Sequence, residues 1–430
     1  MAELQGVLGN ATLLDLSLPG THDSMTYDLS DALSDGYEGM GPVVSGILHA
    51  LTPAVGGRFI RQQGQTQGIS VREMLDGGIR FIDFRIMYTR EAGHMAGEKD
   101  WYCLHGCQTR RKALDYLKEV RAWLDEHPKE LVVMWASRHG TPSLNGTEQF
   151  PGTTPHERQA FFDQVAQIFQ GLLFNSSQKL NETTFASLQQ RNQRLLWFAT
   201  DYEESTRSSD QAVNAMAIDN ELMNVHYGVG NMEFLRKAGA KLAETRKENR
   251  FLLMSMAARQ PRVAVEDAAK ITFLPDVFRS HEKYKKECAE SAKIPNMTSC
   301  PMALMDWSLL MNYYNQRVLD LAYSEGATNL NTDFPNAIYL DAVDVSGLIR
   351  TGTSKINPLL QEHATDGYAY AATLIAANVR RLCRGRNDCL SLQKSIEDER
   401  AQHPLSLWDD PNHGRLMSWP SLEASPVMLV

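Results

Sequence analysis

The hydrophobic pattern alternates between short apolar runs and longer segments with helical periodicity. The densest apolar run, 79–87, follows Gly77 and Gly78 and is typical of a strand buried on both faces. Apolar spacing in 110–126 predicts an amphipathic helix. Further strands are predicted at 13–18, 101–105, 130–136, 194–200, 251–256 and 336–343, and further helices at 70–77, 157–173, 231–248, 308–323 and 358–382. Alternating strands and helices favour an α/β fold with a largely parallel sheet.

The number of strands indicates how that sheet is arranged. Seven predicted strands between positions 13 and 343 favour a closed or nearly closed, irregular TIM-type (β/α) barrel. No glycine-rich fingerprint follows the first strand, which argues against a dinucleotide-binding sheet. We predict one large domain with loop insertions and an extended C-terminal tail packed on the barrel. The ranges are 1–383 for the barrel, 13–140 for its motif-bearing half, 27–68 for an insertion and 384–430 for the tail.

The insertion contains an apolar stretch without charged residues at 41–57, which two hypotheses explain. It is a lid or a surface that meets lipid, or it packs over the mouth of the barrel, since exposed apolar patches are uncommon on soluble proteins.

Composition narrows the class of protein. Of 430 residues, 43% are hydrophobic and 22% charged, which is ordinary for a soluble globular protein. The formal net charge of −9 does not favour a nucleic-acid partner. No run reaches the roughly 18 apolar residues of a membrane span, and residues 1–10 lack the apolar core of a signal peptide. The chain is therefore predicted to be cytoplasmic, or a mature form without its leader.

The cysteines and glycosylation sequons favour the second option. The six cysteines form close couples, which suggest local disulfides: Cys103 with Cys107, Cys288 with Cys300, and Cys383 with Cys389. Asn-x-Ser/Thr sequons occur at Asn10, Asn145, Asn175, Asn181 and Asn296. Together they predict an extracellular or secretory-pathway protein, with the cytoplasm as the alternative.

Charged residues interrupt the densest apolar run. Asp83 and Arg85 lie two positions apart, so their side chains share one face of the strand. Buried charges cost several kcal/mol unless they are paired or face a wet cleft, so a structural salt bridge is one interpretation. Two other predicted strands end near histidines, His22 and His105, which could instead be structural residues bonded to the backbone. A His, an Arg and a His supply a general base, a phosphate-charge stabiliser and a general acid.

These motifs resemble the catalytic X domain of phosphatidylinositol-specific phospholipase C. The segments that carry the resemblance are 18–24 (LPGTHDS), 68–85 (GISVREMLDGGIRFIDFR), 104–106 (LHG) and 123–133 (WLDEHPKELVV). Their order, spacing and strand context agree over 13–137, and 336–344 is a further plausible match. The resemblance implies an irregular TIM-type barrel that cleaves the glycerol–phosphate bond of phosphatidylinositol or a glycosylated relative.

The resemblance also implies roles for individual residues. His22 resembles the general base that takes the proton of the inositol 2-hydroxyl, and His105 the general acid that protonates the departing diacylglycerol oxygen. Asp23 would orient His105, and Asp341 or, failing it, Asp344 would orient His22. The expected product is an inositol cyclic phosphate.

Arg85 indicates which branch of that family is matched. In the calcium-dependent branch an acidic residue stands at this position and an Asn follows the first histidine, whereas this chain has Arg85 and Asp23. A guanidinium would repel a metal ion, so we expect no metal and no cofactor. Ser137 and Arg138 stand where that branch has another metal carboxylate. The remaining substrate-binding candidates are Asp83, Arg138, Asp201 and Tyr202, although Asp83 is also a natural partner of Arg85, and the last two could form a plain turn.

The predicted function is a metal-independent phosphodiesterase that acts on a phospholipid at a membrane surface. One alternative is a catalytically silent barrel that binds phosphoinositides or a protein partner. Another is a metal-dependent glycerophosphodiester or sphingomyelin phosphodiesterase. The sequence does not distinguish phosphatidylinositol from its glycosylated or lyso forms, and it does not predict the oligomeric state.

Overall fold

A computed structural model of the 430-residue chain describes residues 4–33, 53–91, 98–138, 155–174, 178–199, 241–257, 334–343 and 369–384, with shorter pieces between 213 and 323 and between 386 and 395. The strands are β1 Leu18–Thr21, β2 Leu29–Leu33, β3 Phe81–Arg90, β4 Lys99–His105, β5 Cys107–Lys112, β6 Val132–Arg138, β7 Leu195–Ala199, β8 Val213–Asn214, β9 Ile218–Asp219, β10 Phe251–Ser255 and β11 Ala337–Leu340. The helices are α1 Gln5–Leu8, α2 Pro53–Gly64, α3 Val71–Asp76, α4 Ala113–Glu126, α5 Pro155–Ile168, α6 Phe185–Gln190 and α7 Ala369–Leu382.

Eight of the strands pair in parallel. Their order is β9-β10-β11-β1-β3-β6-β7-β8, and each neighbouring pair is parallel. Closing this order into a ring would require β8 to pair with β9, and that pairing is not among those found in the described residues. The fold is therefore α/β with a mixed sheet, and barrel closure stays a prediction.

The prediction of a largely parallel sheet is wrong for β2, β4 and β5. These strands form an antiparallel extension in which β4 pairs with β3, β5 with β4, and β2 with β5. Residues 91–98 are too few for the crossover that a parallel neighbour needs, so β3 and β4 form a hairpin. As a result β4 runs back along β3 and ends with His105 near Arg85.

The first strand begins later than predicted. Leu13–Asp15 form a 3-10 turn because the Asp15 carboxylate accepts hydrogen bonds from the backbone and hydroxyl of Thr12, at 2.7 and 2.8 Å. Pro19 and Gly20, which follow the predicted strand 13–18, lie inside β1. A Cβ on Gly20 would lie 2.9 Å from the Phe81 ring, so β3 approaches β1 where glycine leaves room.

Most other elements lie close to their predicted positions. Ser70 and Glu73 form a capping box at the start of α3, the helix predicted at 70–77. Helix α4 begins at Ala113 rather than at 110, because β5 extends through Lys112. Of the predicted apolar stretch 41–57, residues 41–52 lie outside the described residues, and 53–57 belong to α2.

Two hydrophobic clusters lie on opposite faces of the parallel strands. Ile82, Phe84 and Ile86 of β3 pack toward α4 and α5. Phe81 lies on the other face, among side chains of the neighbouring strands such as Trp135 and Tyr339. Since side chains alternate along a strand, Asp83 and Arg85 continue this second face toward the carboxyl ends of the strands.

The predicted disulfides have different outcomes. Cys383 and Cys389 are bonded, whereas Cys103 and Cys107 are free, buried thiols, so that prediction is wrong. The register of the β4–β5 hairpin is the reason, because it places Cys107 opposite His105, while Cys103 exchanges hydrogen bonds with Thr109. Cys288 and Cys300 lie outside the described residues. No helix among the residues described here combines the length and apolar character needed to cross a bilayer.

Candidate active site

The predicted histidines and Arg85 lie together beside the carboxyl ends of β1, β4 and β11 and the middle of β3. His22 follows β1, Asp341 follows β11, and Arg85 lies within β3. His105 is the last residue of β4, which the hairpin returns to the same place. The centroids of the His22 and His105 rings are 6.4 Å apart, and their planes are inclined by 75°. The two imidazoles thus border one small space.

His22 is held by its backbone and by its ring. Its backbone N–H donates to the Leu340 carbonyl at 2.9 Å, which continues the β1–β11 pairing by one residue. Nδ1 lies 2.6 Å from Oδ1 of Asp341, whose side chain is fully buried. The ring also stacks on Tyr339, with centroids 5.3 Å apart. Because Asp341 accepts the proton of Nδ1, Nε2 is the nitrogen left to face the site.

Arg85 contacts two carboxylates and the ring of His22. Its Nε makes ion pairs with Asp83, at 3.1 Å, and with Asp23. Its Nη2 lies 2.5 Å from Nε2 of His22. A guanidinium nitrogen can only donate, so this contact requires a lone pair on Nε2 and hence a neutral His22.

Asp23 lies between the two histidines. It adopts the left-handed backbone conformation, with φ at 45°, which Asp tolerates better than most residues. Its backbone N–H donates to Asp83 at 3.1 Å. Its buried Oδ2 lies 3.5 Å from Nε2 of His22 and 3.4 Å from Nδ1 of His105. One carboxylate therefore acts on both imidazoles and on Arg85.

His105 has a second, closer partner in the backbone. Its Nδ1 lies 2.7 Å from the carbonyl oxygen of Gly64, the last residue of α2. The predicted partner, Asp23, is 0.7 Å farther from the same nitrogen (3.4 Å minus 2.7 Å). Both acceptors favour a proton on Nδ1, so Nε2 is the other ring nitrogen available to a substrate.

Opposing effects set the proton affinity of His22. Burial is the largest effect and lowers the pKa of His22, and the charge of Arg85 lowers it too, but Asp23 and Asp341 outweigh them and raise the pKa above 6.5. The ring therefore keeps its proton to a higher pH than an ordinary histidine does. Burial also raises the pKa of Tyr339, so the ring beneath His22 stays a neutral phenol.

Three residues of the site could in principle hold a metal ion. His22, Asp23 and Asp83 each offer a ligand atom, and these atoms lie within 4.8 Å of one another. However, Arg85 contacts both carboxylates. Its charge occupies the place of a cation and would repel one. The donor set does not fit a metal ion while Arg85 holds this position.

Four predicted residues lie wholly or partly outside the described residues. Arg138 ends β6 and pairs with Ile86 through the backbone, but its side chain lies outside the described part of the structure. Asp201, Tyr202 and the alternative Asp344 also lie outside the described residues.

The structure adds residues that the sequence pattern did not reveal. The backbone carbonyl of Gly64 accepts from the His105 ring, and the side chains of Thr66 and Gln67 donate to the backbone carbonyl of His22. Ser308 lies 3.4 Å from Oδ2 of Asp341. A glycine, two small polar residues and a serine outside a motif carry no chemical signature, and only their positions in the fold bring them to the site.

A family comparison bears on this arrangement. The family model described as PI-PLC X 1 matches residues 53–256, which include Asp83, Arg85 and His105. Residues 53–256 of the chain are thus similar to the PI-PLC X family. His22, Asp23 and Asp341 lie outside the matched range of the PI-PLC X model, and the fold brings them to the same site.

Proteins named for the PI-PLC X domain are also similar to part of this chain. PI-PLC X domain-containing protein 1 of Homo sapiens is 31% identical over 134 residues, which are 31% of this chain and 40% of the relative. The Danio rerio protein of that name is 32% identical over 136 residues, which are 31% of this chain and 41% of the relative. PI-PLC X domain-containing protein 2 of Homo sapiens is 29% identical over 135 residues. The matches thus span about two fifths of the length of these relatives.

Solved structures of phosphatidylinositol-specific phospholipase C are also similar. The Listeria monocytogenes enzyme matches with a TM-score of 0.43 and 12% identity, over 78% of this chain and 90% of that one. A double mutant of the Staphylococcus aureus enzyme matches with a TM-score of 0.45 and 12% identity, over 85% of this chain and 95% of that one.

Proposed function

We propose that this chain is a phosphodiesterase that cleaves the glycerol–phosphate bond of phosphatidylinositol, or of a glycosylated relative, without a metal ion. The observation that carries the proposal is the contact of His22 Nε2 with Arg85 Nη2, with the His105 ring 6.4 Å across the site. A phosphodiester bound to Arg85 would have an imidazole on either side. The PI-PLC X match over Arg85 and His105 supports the same function.

The first step is transfer of the phosphoryl group within the substrate. His22 Nε2 takes the proton of the inositol 2-hydroxyl as that oxygen attacks phosphorus. The hydrogen bond from Nδ1 to Asp341 stabilises the imidazolium that forms. The bond from phosphorus to the glycerol oxygen breaks, and His105 donates a proton to that oxygen. The products are diacylglycerol and an inositol cyclic phosphate, and hydrolysis of the latter by water would use the same two rings in reversed roles.

Arg85 would stabilise the phosphate during this step. A guanidinium presents a planar fork of N–H donors that matches phosphate oxygens. Asp23 and Asp83 hold its Nε edge, so the Nη2 edge lies toward His22 and the substrate. Donors fixed before the reaction need no reorganisation as charge develops, and this is usually the largest single contribution to catalysis.

Phosphorus NMR of a digest tests this function. Phosphatidylinositol vesicles are incubated with the protein and a chelator, and the expected result is a resonance of a five-membered cyclic phosphate. A His22→Ala, His105→Ala double variant is the control and should give none. Absence of turnover, or turnover only after calcium is added, would contradict the proposal, and binding to the vesicles without turnover would favour a silent barrel.

We also propose that the protein acts outside the cytoplasm or in the secretory pathway. The support is the Cys383–Cys389 disulfide, since such bonds persist mainly in oxidising compartments. Mass spectrometry of the protein from its natural source, alkylated before reduction, tests the location. We expect Cys383 and Cys389 to escape alkylation because they are bonded to each other. Alkylation of both would contradict the proposed location.

A further inference from the structure

Gln67 connects the two segments that carry His22 and its partner Asp341. Its fully buried amide nitrogen donates to the His22 carbonyl at 2.8 Å and to the Leu340 carbonyl at 2.9 Å. Leu340 immediately precedes Asp341, so both N–H groups of one amide span the carboxyl ends of β1 and β11. The span lies directly beneath the 2.6 Å contact between His22 and Asp341.

Thr66 reinforces this connection. Its buried hydroxyl donates to the His22 carbonyl at 3.0 Å, and its own carbonyl accepts the backbone N–H of Ala342 at 2.6 Å. Thr26 accepts the backbone N–H groups of both Thr66 and Gln67, at 3.0 and 3.1 Å, which fixes the pair against the turn that follows Asp23.

The same short segment also contacts the other histidine. Gly64 accepts the Nδ1 proton of His105 at 2.7 Å. A Cβ at Gly64 would lie 2.1 Å from the His105 backbone oxygen, so only glycine permits this approach. Residues 64–67, which we call the connector, thus contact the ring of His105 at one end and the backbone carbonyl of His22 at the other.

We propose that the connector positions both histidines, and that Gln67 is the positioning residue that holds His22 in register with Asp341. The inference rests on the proposed function for its effect on catalysis, but its effect on His22 is independent of any activity. A displacement of about 1 Å at a reacting group can cost roughly 100-fold in rate, so a connection of this kind has a measurable consequence.

Asn336 provides a matched control. Its buried side-chain nitrogen also donates to two backbone carbonyls, those of Leu14 and Leu16, at 3.0 and 3.2 Å. It precedes β11, at the end of the strands opposite to His22. Gln67→Met and Asn336→Leu each remove a buried amide whose nitrogen donates to two carbonyls and whose oxygen accepts one backbone N–H, and only Gln67 contacts the histidine segment.

The test compares the titration of His22 in the two variants by NMR of protein with isotope-labelled histidine. Charged or titratable groups that face His22 are Asp23, Asp341, Arg85, His105 and Tyr339. In Gln67→Met we expect the midpoint of the His22 titration to fall to lower pH. The substitution loosens the contact with Asp341, and that contact raises the pKa of His22. Turnover per folded molecule should fall about 10- to 100-fold, with little change in KM for a soluble inositol cyclic phosphate. Asn336→Leu should lower Tm and leave the His22 titration unchanged.

Two results would overturn the inference: an unchanged His22 titration in Gln67→Met, or an equal shift in Asn336→Leu. If Gln67→Met does not fold, Thr66→Val is used instead, because it removes the neighbouring hydroxyl donor to the His22 carbonyl. A His22 titration midpoint equal to that of the unmodified protein would then contradict the inference. An inactive wild-type protein whose His22 midpoint still falls in Gln67→Met would refute the proposed function and leave the positioning role intact.

Discussion

Two buried arginines at the two ends of one segment have opposite surroundings. Arg80 immediately precedes β3 and Arg85 lies within it, and both side chains are 10% exposed. Arg80 binds Glu130 and donates to the backbone carbonyls of Leu75 and Ile79, and its guanidinium lies over the Trp123 ring. Arg85 instead contacts two carboxylates and an imidazole nitrogen.

The difference shows how the same side chain can serve structure or chemistry at equal burial. The backbone partners of Arg80 are fixed by the fold, and no ligand can replace them without disrupting it. The partners of Arg85 are side chains, one of which titrates. In the proposed function, a substrate phosphate displaces His22 Nε2 from the guanidinium and leaves that nitrogen for a proton. The burial of an arginine therefore does not distinguish a structural role from a chemical one. The identity of the groups that it contacts does distinguish them.

The largest effect is expected on stability, from the partner of Arg80. Glu130→Ala leaves Arg80 buried without its carboxylate, and removal of one partner of a buried pair costs about 3–5 kcal/mol. Denaturant unfolding should show this loss, while turnover per folded molecule at low temperature stays within about twofold of the original. Loss of turnover with unchanged stability would break the comparison.

The next effect is expected at Arg85. Arg85→Lys keeps the charge but loses the fork, and we expect turnover to fall about 10²- to 10³-fold, as when one fixed donor to a reacting anion is removed. The free energy of unfolding should not fall, because residues of functional sites are commonly kept for activity at the expense of stability. Arg80→Lys is the matched control and should lower Tm without changing turnover per folded molecule. If the two substitutions give the same pattern, the assignment of roles is wrong.

A smaller effect is expected in the pH dependence. His22 must be neutral to accept a proton, so kcat/KM should rise with pH through the pKa of His22, which lies above 6.5. Asp341→Asn removes a charge and a hydrogen bond that both raise this pKa, so the rising limb should move to lower pH. A limb that stays in place or moves to higher pH would show that Asp341 does not act on the base.

The sequence identified residues that meet in the candidate site, but not how the fold brings them together. His22, Arg85 and His105 were identifiable because charged and imidazole side chains stand out at the ends of apolar runs. Their convergence also depends on the β3–β4 hairpin, which returns His105 to Arg85. The prediction treated that run as another parallel strand, because apolar runs of this length do not reveal strand direction.

Backbone partners were beyond the reach of sequence patterns. Any residue has a backbone carbonyl like the one that Gly64 offers to His105. The side-chain amide of Gln67 reaches the His22 carbonyl only because of its position in the fold. The false Cys103–Cys107 pair has a similar origin, since spacing along the chain says nothing about register. The strand and helix bounds, in contrast, followed from periodicity to within a few residues at α3, β6 and β10.

The division of labour between the two imidazoles is tested most directly by changing the leaving group. Two inositol phosphodiesters are compared, one with an alkyl leaving group and one with 4-nitrophenol, which departs without a proton. We predict that His22→Ala slows both by about 10²- to 10⁴-fold, whereas His105→Ala slows the alkyl substrate by that amount and spares the nitrophenyl substrate. If His105→Ala slows both substrates equally, or His22→Ala spares either one, residues 22 and 105 are not the acid and the base of one reaction.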